Sequence, residues 1–372
     1  MTEKRTRVCV VLGGHWDVQM GGAQFQAKCL VDVLRRRPQF ETFYVAHAAP
    51  KKLQQDGYQI VPFGAGHGTN IFSLVLQLPS LYLTLRRLQP DVVYQRCLMP
   101  YTGVCALYCA RHGAKMVYHI ASDSDARRLK LGGWTPRRLL HRLSRSIAEY
   151  GLKRADVIVA QTIDQARLLK TEFGRDVTAV VPNFHPAPEV AAVQRDPRRL
   201  RVIWVGNFKP VKNPEQFVAL AETFRAVPDV DFIMIGRPGG SDSYDALHQR
   251  IVGLRNLRFL GELPLVEVNS EVARSDLLVN TSSFEGFPNT FIQAWLRRVP
   301  VLSVVVDPDA CLSKGGAGIR AGSFDKLAGY IHELKSDRRR LAALSDNANA
   351  YALANHHPDR AEALVRLLAP GS

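Results

Sequence analysis

Residues 275–296 read SDLLVNTSSFEGFPNTFIQAWL, and VPVLSVVV follows at 299–306. An apolar run ends on Asn280, a loop holding Glu285 and Gly286 follows, and a helix-like segment then leads into a second β-branched run. Parallel strands linked through helices give this pattern, because helices cover both faces of the sheet and its strands become short, nearly continuous apolar runs. In such sheets ligands bind beyond the carboxyl ends of the strands, where turns feed helices whose unpaired amides attract anions. Pro288 is expected at the first helical position, with Asn289 and Thr290 in the first turn and Gln293 one turn further on.

The alternation extends outward from this stretch. RVIWVGN, DFIMIG and LRFLG precede it between 201 and 261. Between 7 and 183 stand RVCVVLG, ETFYVAH, YQIVPF, DVVYQ, KMVYHI, DVIVAQ and TAVVPN. A turn-rich stretch from 184 to 199 divides the two series, so two α/β domains are expected, residues 1–190 and 191–355, with a cleft available between them. Residues 356–372 are expected to form a helix that packs back on the first domain. With 372 residues, 46% of them apolar, each domain can bury its own core.

Two more turns qualify as ligand sites. LGGHWDVQMGGAQFQAKCLVDVL at 12–34 puts Gly21 and Gly22 immediately before a helix, although its glycine spacing is not the dinucleotide fingerprint. VGNFKPVKNPEQFVAL at 205–220 puts Gly206, Asn207, Lys209 and Lys212 before a helix that starts near Pro214, and two cations there suit a diphosphate.

The net charge of +15 predicts an anionic partner: a nucleoside diphosphate, a phospholipid surface or nucleic acid. Much of it falls between Arg127 and Arg154. Its first part, RRLKLGGWTPRRLLHRLSRS (127–146), interleaves no aromatics beyond Trp134 and carries no recognised binding motif, so nucleic acid is not expected. Within it Leu139, Leu140, Leu143 and Ile147 share one helical face, flanked by Arg137, Arg138, Arg142 and Arg145. This suits either a helix lying on an anionic membrane or leucines packed on the first domain. The apolar stretch Ile71–Leu85 is too short to span a bilayer and is broken by Gln77 and Pro79. With no signal-peptide core at the start, a cytoplasmic protein is expected, or one held at the inner face of the membrane. The six cysteines read as buried reduced thiols. No acidic pair suited to a divalent metal closes a strand, and Asp307 and Asp309 read as turn residues, so neither metal nor cofactor is expected.

With these turns in hand, the chain resembles the family 4 (group 1) retaining glycosyltransferases of the GT-B fold, an α/β architecture of two doubly wound Rossmann-like domains facing each other across a cleft. The resemblance rests on GGAQ (21–24), PDVVY (90–94), MVYHIASD (116–123), ADVIVAQT (155–162), VVPN (180–183), VGNFKPVKN (205–213), RFLGEL (258–263), SSFEGFPNTFIQAW (282–295) and VPVLS (299–303). It implies that residues 1–190 serve the acceptor and 191–355 the donor. The SSFEGFPNTFIQAW segment corresponds to the family's paired glutamates, separated by seven residues. By resemblance Glu285 contacts the donor sugar, the amides around Phe287 to Thr290 surround the diphosphate, and Gly286, Pro288 and Asn289 belong to the same donor-binding turn. Gln293 stands where the second glutamate binds the ribose. Lys212 matches a donor-phosphate lysine, Asn207 replaces the accompanying arginine, and Lys209 is a candidate to compensate. His119 matches the histidine beside the transferred sugar.

The implied reaction moves a hexosyl unit from a nucleotide-diphosphate sugar to a glycan or lipid-linked acceptor, with retention and without metal, in polysaccharide biosynthesis. The competing expectations are a GT-B nucleotide-sugar epimerase or hydrolase and a non-enzymatic binder of nucleic acid or membrane.

Overall fold

A computed structural model describes residues 5–64, 76–128, 135–186, 193, 195–239 and 242–369. The chain divides into two units, Met1–Phe184 with Pro358–Ser372, and His185–His357. In the first, β1 (Thr6–Gly14), β2 (Phe40–Ala48), β3 (Gln54–Gln55), β4 (Tyr58–Pro62), β5 (Val92–Arg96), β6 (Lys115–His119), β7 (Val157–Ala160) and β8 (Ala179–Val180) form a sheet in the order β3-β4-β2-β1-β5-β6-β7-β8. The pairings are parallel except for β3 with β4. In the second, β9 (Leu200–Val205), β10 (Val230–Ile235), β11 (Leu257–Phe259), β12 (Leu277–Asn280), β13 (Val301–Ser303) and β14 (Gly318–Arg320) form a parallel sheet in the order β11-β10-β9-β12-β13-β14. Strand order reverses between β1 and β5 and again between β9 and β12, the points where doubly wound sheets bind ligands.

Alternation along the strands makes both faces of the second sheet core. Val202, Trp204, Phe232 and Met234 pack with Phe217 and Leu220 of the helix Pro214–Thr223. Ile203, Ile233 and Ile235 belong to the opposite cluster with Phe291 and Trp295 of the helix Asn289–Trp295. The strands therefore read as unbroken apolar runs rather than as alternating ones.

In the first unit the helices Pro100–His112 and Pro136–Arg154 approach closely at Gly103 and Gly151. A Cβ on Gly103 would lie 2.3 Å from the Ile147 carbonyl oxygen, and one on Gly151 would lie 2.4 Å from that of Thr102. This contact buries Ser144, Ala148 and Leu152 and turns Leu139 and Leu143 outward, 57% and 52% exposed. The alternative in which this leucine face packs on the domain fails for those two; Leu140 and Ile147 are half-buried. Arg145 is held by Glu149 and by the Arg127 carbonyl, and Arg138 is exposed. The side chain of Arg137 and residues 129–134, Trp134 among them, lie outside the described residues, as do 71–75 of the apolar stretch and 187–192 and 194 of the expected boundary.

The closing helix Ala361–Leu367 contacts the helix Gly22–Leu34, and Glu362 pairs with Arg37. All six cysteines are free, five of them buried. Among the described residues no helix is long and apolar enough to cross a membrane.

Candidate active site

Two of the predicted turns meet in the second unit. After β12, Thr281 Oγ1 accepts from the Trp204 indole N–H at 2.9 Å and donates to the Lys212 carbonyl at 2.7 Å. The Ser283 amide donates to the Val211 carbonyl at 2.9 Å, and the Asn213 side chain donates to the Thr281 carbonyl at 3.0 Å. Asn213 has a φ of 45°, a left-handed conformation that asparagine tolerates better than most residues. The loop after β9 and the loop after β12 are thereby laced together over the carboxyl ends of their strands.

The lacing sets the ionic contact. Lys212 Nζ donates to Glu285 Oε1, which also accepts from Ser282 Oγ at 2.7 Å. Both side chains are partly exposed, and Oε2 of Glu285 accepts no hydrogen bond among the described residues. Gly286, Phe287 and Pro288 are buried behind the carboxylate, Asn289 and Thr290 are half-buried, and Phe284 points outward.

The helix spans Asn289–Trp295, with Pro288 as its N-cap at φ −65°, ψ 121°. This corrects the expected placement of Pro288 at the first helical position: the extended ψ keeps the proline outside the helix, while Asn289 and Thr290 do occupy the first turn. Gln293 is buried in this helix. Asn289 Oδ1 accepts from His185 Nε2 at 3.1 Å, and the His185 amide donates to the His356 carbonyl. Burial pushes the His185 pKa down to about 3, against the opposing effect of its bond to Asn289.

Gly206 directly follows β9, its amide bonded to the Ile235 carbonyl at 2.9 Å. Asn207, at the position where a cation was expected, accepts from the Arg237 amide at 3.3 Å, and the Phe208 amide returns a bond to the Arg237 carbonyl. Lys209 is exposed. Arg237, which sequence reasoning missed, therefore joins Lys209 as a cation at this turn.

In the first unit Gly21 is the N-cap and Gly22 the first residue of the helix Gly22–Leu34. His119 closes β6 and is 1% exposed. Its Nδ1 faces the Tyr94 hydroxyl at 2.9 Å and Arg96 Nη1 at 3.3 Å. Burial, and after it the charge of Arg96, hold its pKa well below the usual histidine value, so the ring is neutral. Among the described residues no cluster of three or more His, Cys, Asp or Glu side chains is arranged to hold a metal.

The model of the group 1 glycosyl transferases matches residues 199–337, and that of glycosyltransferase family 4 matches residues 20–186. The chain belongs to the group 1, family 4 glycosyltransferases. No curated protein matches it by sequence. Among solved structures, Alr3699/HepE of Anabaena, described in complex with UDP and glucose, superposes with a TM-score of 0.73 at 17% identity, over 98% of this chain and 99% of that one. WaaG, a glycosyltransferase of lipopolysaccharide biosynthesis, gives 0.72 at 16% identity over 98% and 100%. The sucrose-phosphate synthase of Thermosynechococcus elongatus gives 0.72 at 15% identity over 98% of each chain. The fold of this glycosyltransferase is GT-B, two doubly wound Rossmann-like units. The residues that lace the two loops, Trp204, Thr281 and Ser282, carry no motif signal by themselves. The pairing of β9 with β12 predicts only that their loops are neighbours.

Proposed function

We propose that this glycosyltransferase takes a nucleotide-diphosphate sugar as donor and transfers a hexosyl unit, with retention, to a glycan or lipid-linked acceptor. The observation that carries the reading is the Lys212–Glu285 contact between two laced loops at the switch point of the second sheet. It holds a cation for a diphosphate next to a carboxylate for sugar hydroxyls. On donor binding Lys212 turns to the phosphates, and Glu285 accepts from the sugar while Ser282 keeps it oriented.

The main-chain amides from Gly286 to Thr290, with that of Pro288 excepted because proline has none, surround the diphosphate. Gln293 meets the ribose, and Lys209 or Arg237 supplies the charge that Asn207 does not. As the bond to the leaving phosphate oxygen lengthens, positive charge grows on the anomeric carbon and negative charge on the diphosphate. Lys212 and the amides stabilise the latter without a metal, and this preorganised field is where most of the rate enhancement comes from. His119 serves the transferred sugar. The outward Leu139 and Leu143 with Arg138 support an acceptor presented at an anionic membrane on the cytoplasmic side.

Thermal shift against a panel of nucleotide sugars, beginning with uridine diphosphate sugars, tests the donor assignment. A ligand at 100 times its Kd stabilises the native state by about 2.7 kcal/mol. One donor is expected to raise Tm and no donor doing so would refute the reading. Consumption of that donor without any acceptor would favour an epimerase or hydrolase.

A further inference from the structure

Strands β5 and β6 pair with Arg96 in register with His119, and both side chains are buried, Arg96 at 2% exposure. Tyr94 and Arg96, two residues apart on β5, project to the same side of the strand and both reach the imidazole. Arg96 Nη2 donates to Asn183 Oδ1 at 2.7 Å, and Nη1 lies 3.3 Å from His119 Nδ1 and 3.4 Å from the Tyr94 oxygen. No carboxylate accepts from this guanidinium among the described residues.

A guanidinium has donors only and keeps its charge at any pH a protein survives. A proton on His119 Nδ1 would therefore oppose an Arg96 N–H. The nitrogen at that position has to accept, which leaves the ring proton on Nε2. Nε2 is buried and makes no well-formed hydrogen bond among the described residues, the Val181 main chain being the acceptor on its side of the ring, so its proton is only weakly held in the absence of substrate. Among the described residues Arg96 is the charged group that acts on the ring, and hydrogen bonding to the Val181 main chain is what favours its protonation. Burial keeps Tyr94 neutral.

We propose that Arg96 is a positioning residue that locks His119 as the Nε2–H tautomer, so that His119 enters sugar transfer as a fixed neutral hydrogen-bond donor and not as a base or a cation. This rests on the reading of His119 as the histidine beside the transferred sugar. An imidazolium there would repel the positive charge growing at the anomeric carbon. A neutral N–H can bind a sugar oxygen without that repulsion, and the permanent charge stays on the Nδ1 side of the ring.

The test is nitrogen-15 NMR of histidine-labelled full-length protein without substrate, with the His119 signals identified by their loss in His119→Gln. The wild type is expected to show the neutral Nε2–H pattern unchanged from about pH 5 to pH 8. In Arg96→Met the Tyr94 hydroxyl can accept as well as donate, so the Nδ1–H tautomer becomes populated and kcat falls at least about tenfold, with a smaller change in KM for the donor. Arg96→Lys is expected to restore the wild-type spectrum.

A wild-type proton on Nδ1, titration of His119 within that range, or an Arg96→Met spectrum identical to wild type would each overturn the proposal. If Arg96→Met does not fold, Tyr94→Phe leaves the guanidinium as the donor to Nδ1 and is expected to keep the Nε2–H pattern; an Nδ1–H pattern there would overturn it equally. The spectra need no donor, so they stand or fall apart from the donor assignment, which wild-type turnover tests.

Discussion

Lys212 donates to Oε1 of Glu285 across 73 residues of sequence, and the loops that carry them are joined by the hydrogen bonds of Thr281 and Ser283. If Lys212 meets charge that develops on the leaving diphosphate, its loss has to appear in kcat more than in KM. Lys212→Ala is expected to lower kcat about 100-fold or more, the scale seen when one preorganised donor is removed from a charge-stabilising site. Steady-state kinetics with varied donor check this. A change confined to KM would restrict Lys212 to ground-state binding.

Gln293 keeps one acceptor and one amide donor where the family has a glutamate. Ribose is bound alike in ground and transition states, so Gln293→Ala is expected to raise KM for the donor several-fold with kcat nearly unchanged, and Gln293→Glu to remain active. If Gln293→Ala alters neither constant, the nucleotide does not lie along the helix Asn289–Trp295.

The depressed pKa of His185 makes a prediction with a definite sign. Above about pH 6.5 the ring is neutral in folded and unfolded chains alike. As pH falls from there toward about 3, the unfolded chain takes up a proton that the folded one refuses, and stability drops by up to about 1.4 kcal/mol per pH unit. Asp125 and Asp276, whose pKa values burial raises, act in the opposite direction, so the comparison has to be with a variant. Urea unfolding of wild type and His185→Gln at pH 7 and pH 5 is expected to show the wild type losing at least about 1 kcal/mol more. Parallel losses would contradict it.

Leu139 and Leu143 stand outward beside Arg138, and burying one leucine side chain contributes about 1.5–3 kcal/mol. Co-sedimentation is expected with anionic but not neutral vesicles, and Leu139→Ser with Leu143→Ser to weaken it at least about tenfold. Equal indifference to both vesicle types would remove the membrane from the account.

The strands were legible because a parallel sheet covered on both faces writes itself as short β-branched runs. β3 and β14 were not, since a two-residue QQ pairing and the three residues of GIR are too short to carry a period. The turns themselves were legible from glycine, proline and lysine beside helix starts. Their lacing was not, because Trp204 reads as a core residue and Thr281 as a loop residue until the strands are paired. Pro288 shows the limit on boundaries: proline suits both the N-cap and the first helical position, and only ψ distinguishes them. Arg96 lies just past the run DVVYQ, and nothing in the sequence there announces that the guanidinium turns inward to a histidine on the neighbouring strand.

The central claim is that Glu285 serves the donor sugar. Its most direct measurement is kcat/KM for sugar transfer by Glu285→Ala, set beside the variant's thermal unfolding. A half-buried ion pair at a loop contributes little to stability, so Tm is expected to stay within a few degrees of wild type. Transfer is expected to fall about 100-fold or more. Near-normal turnover in a folded Glu285→Ala enzyme would contradict the account.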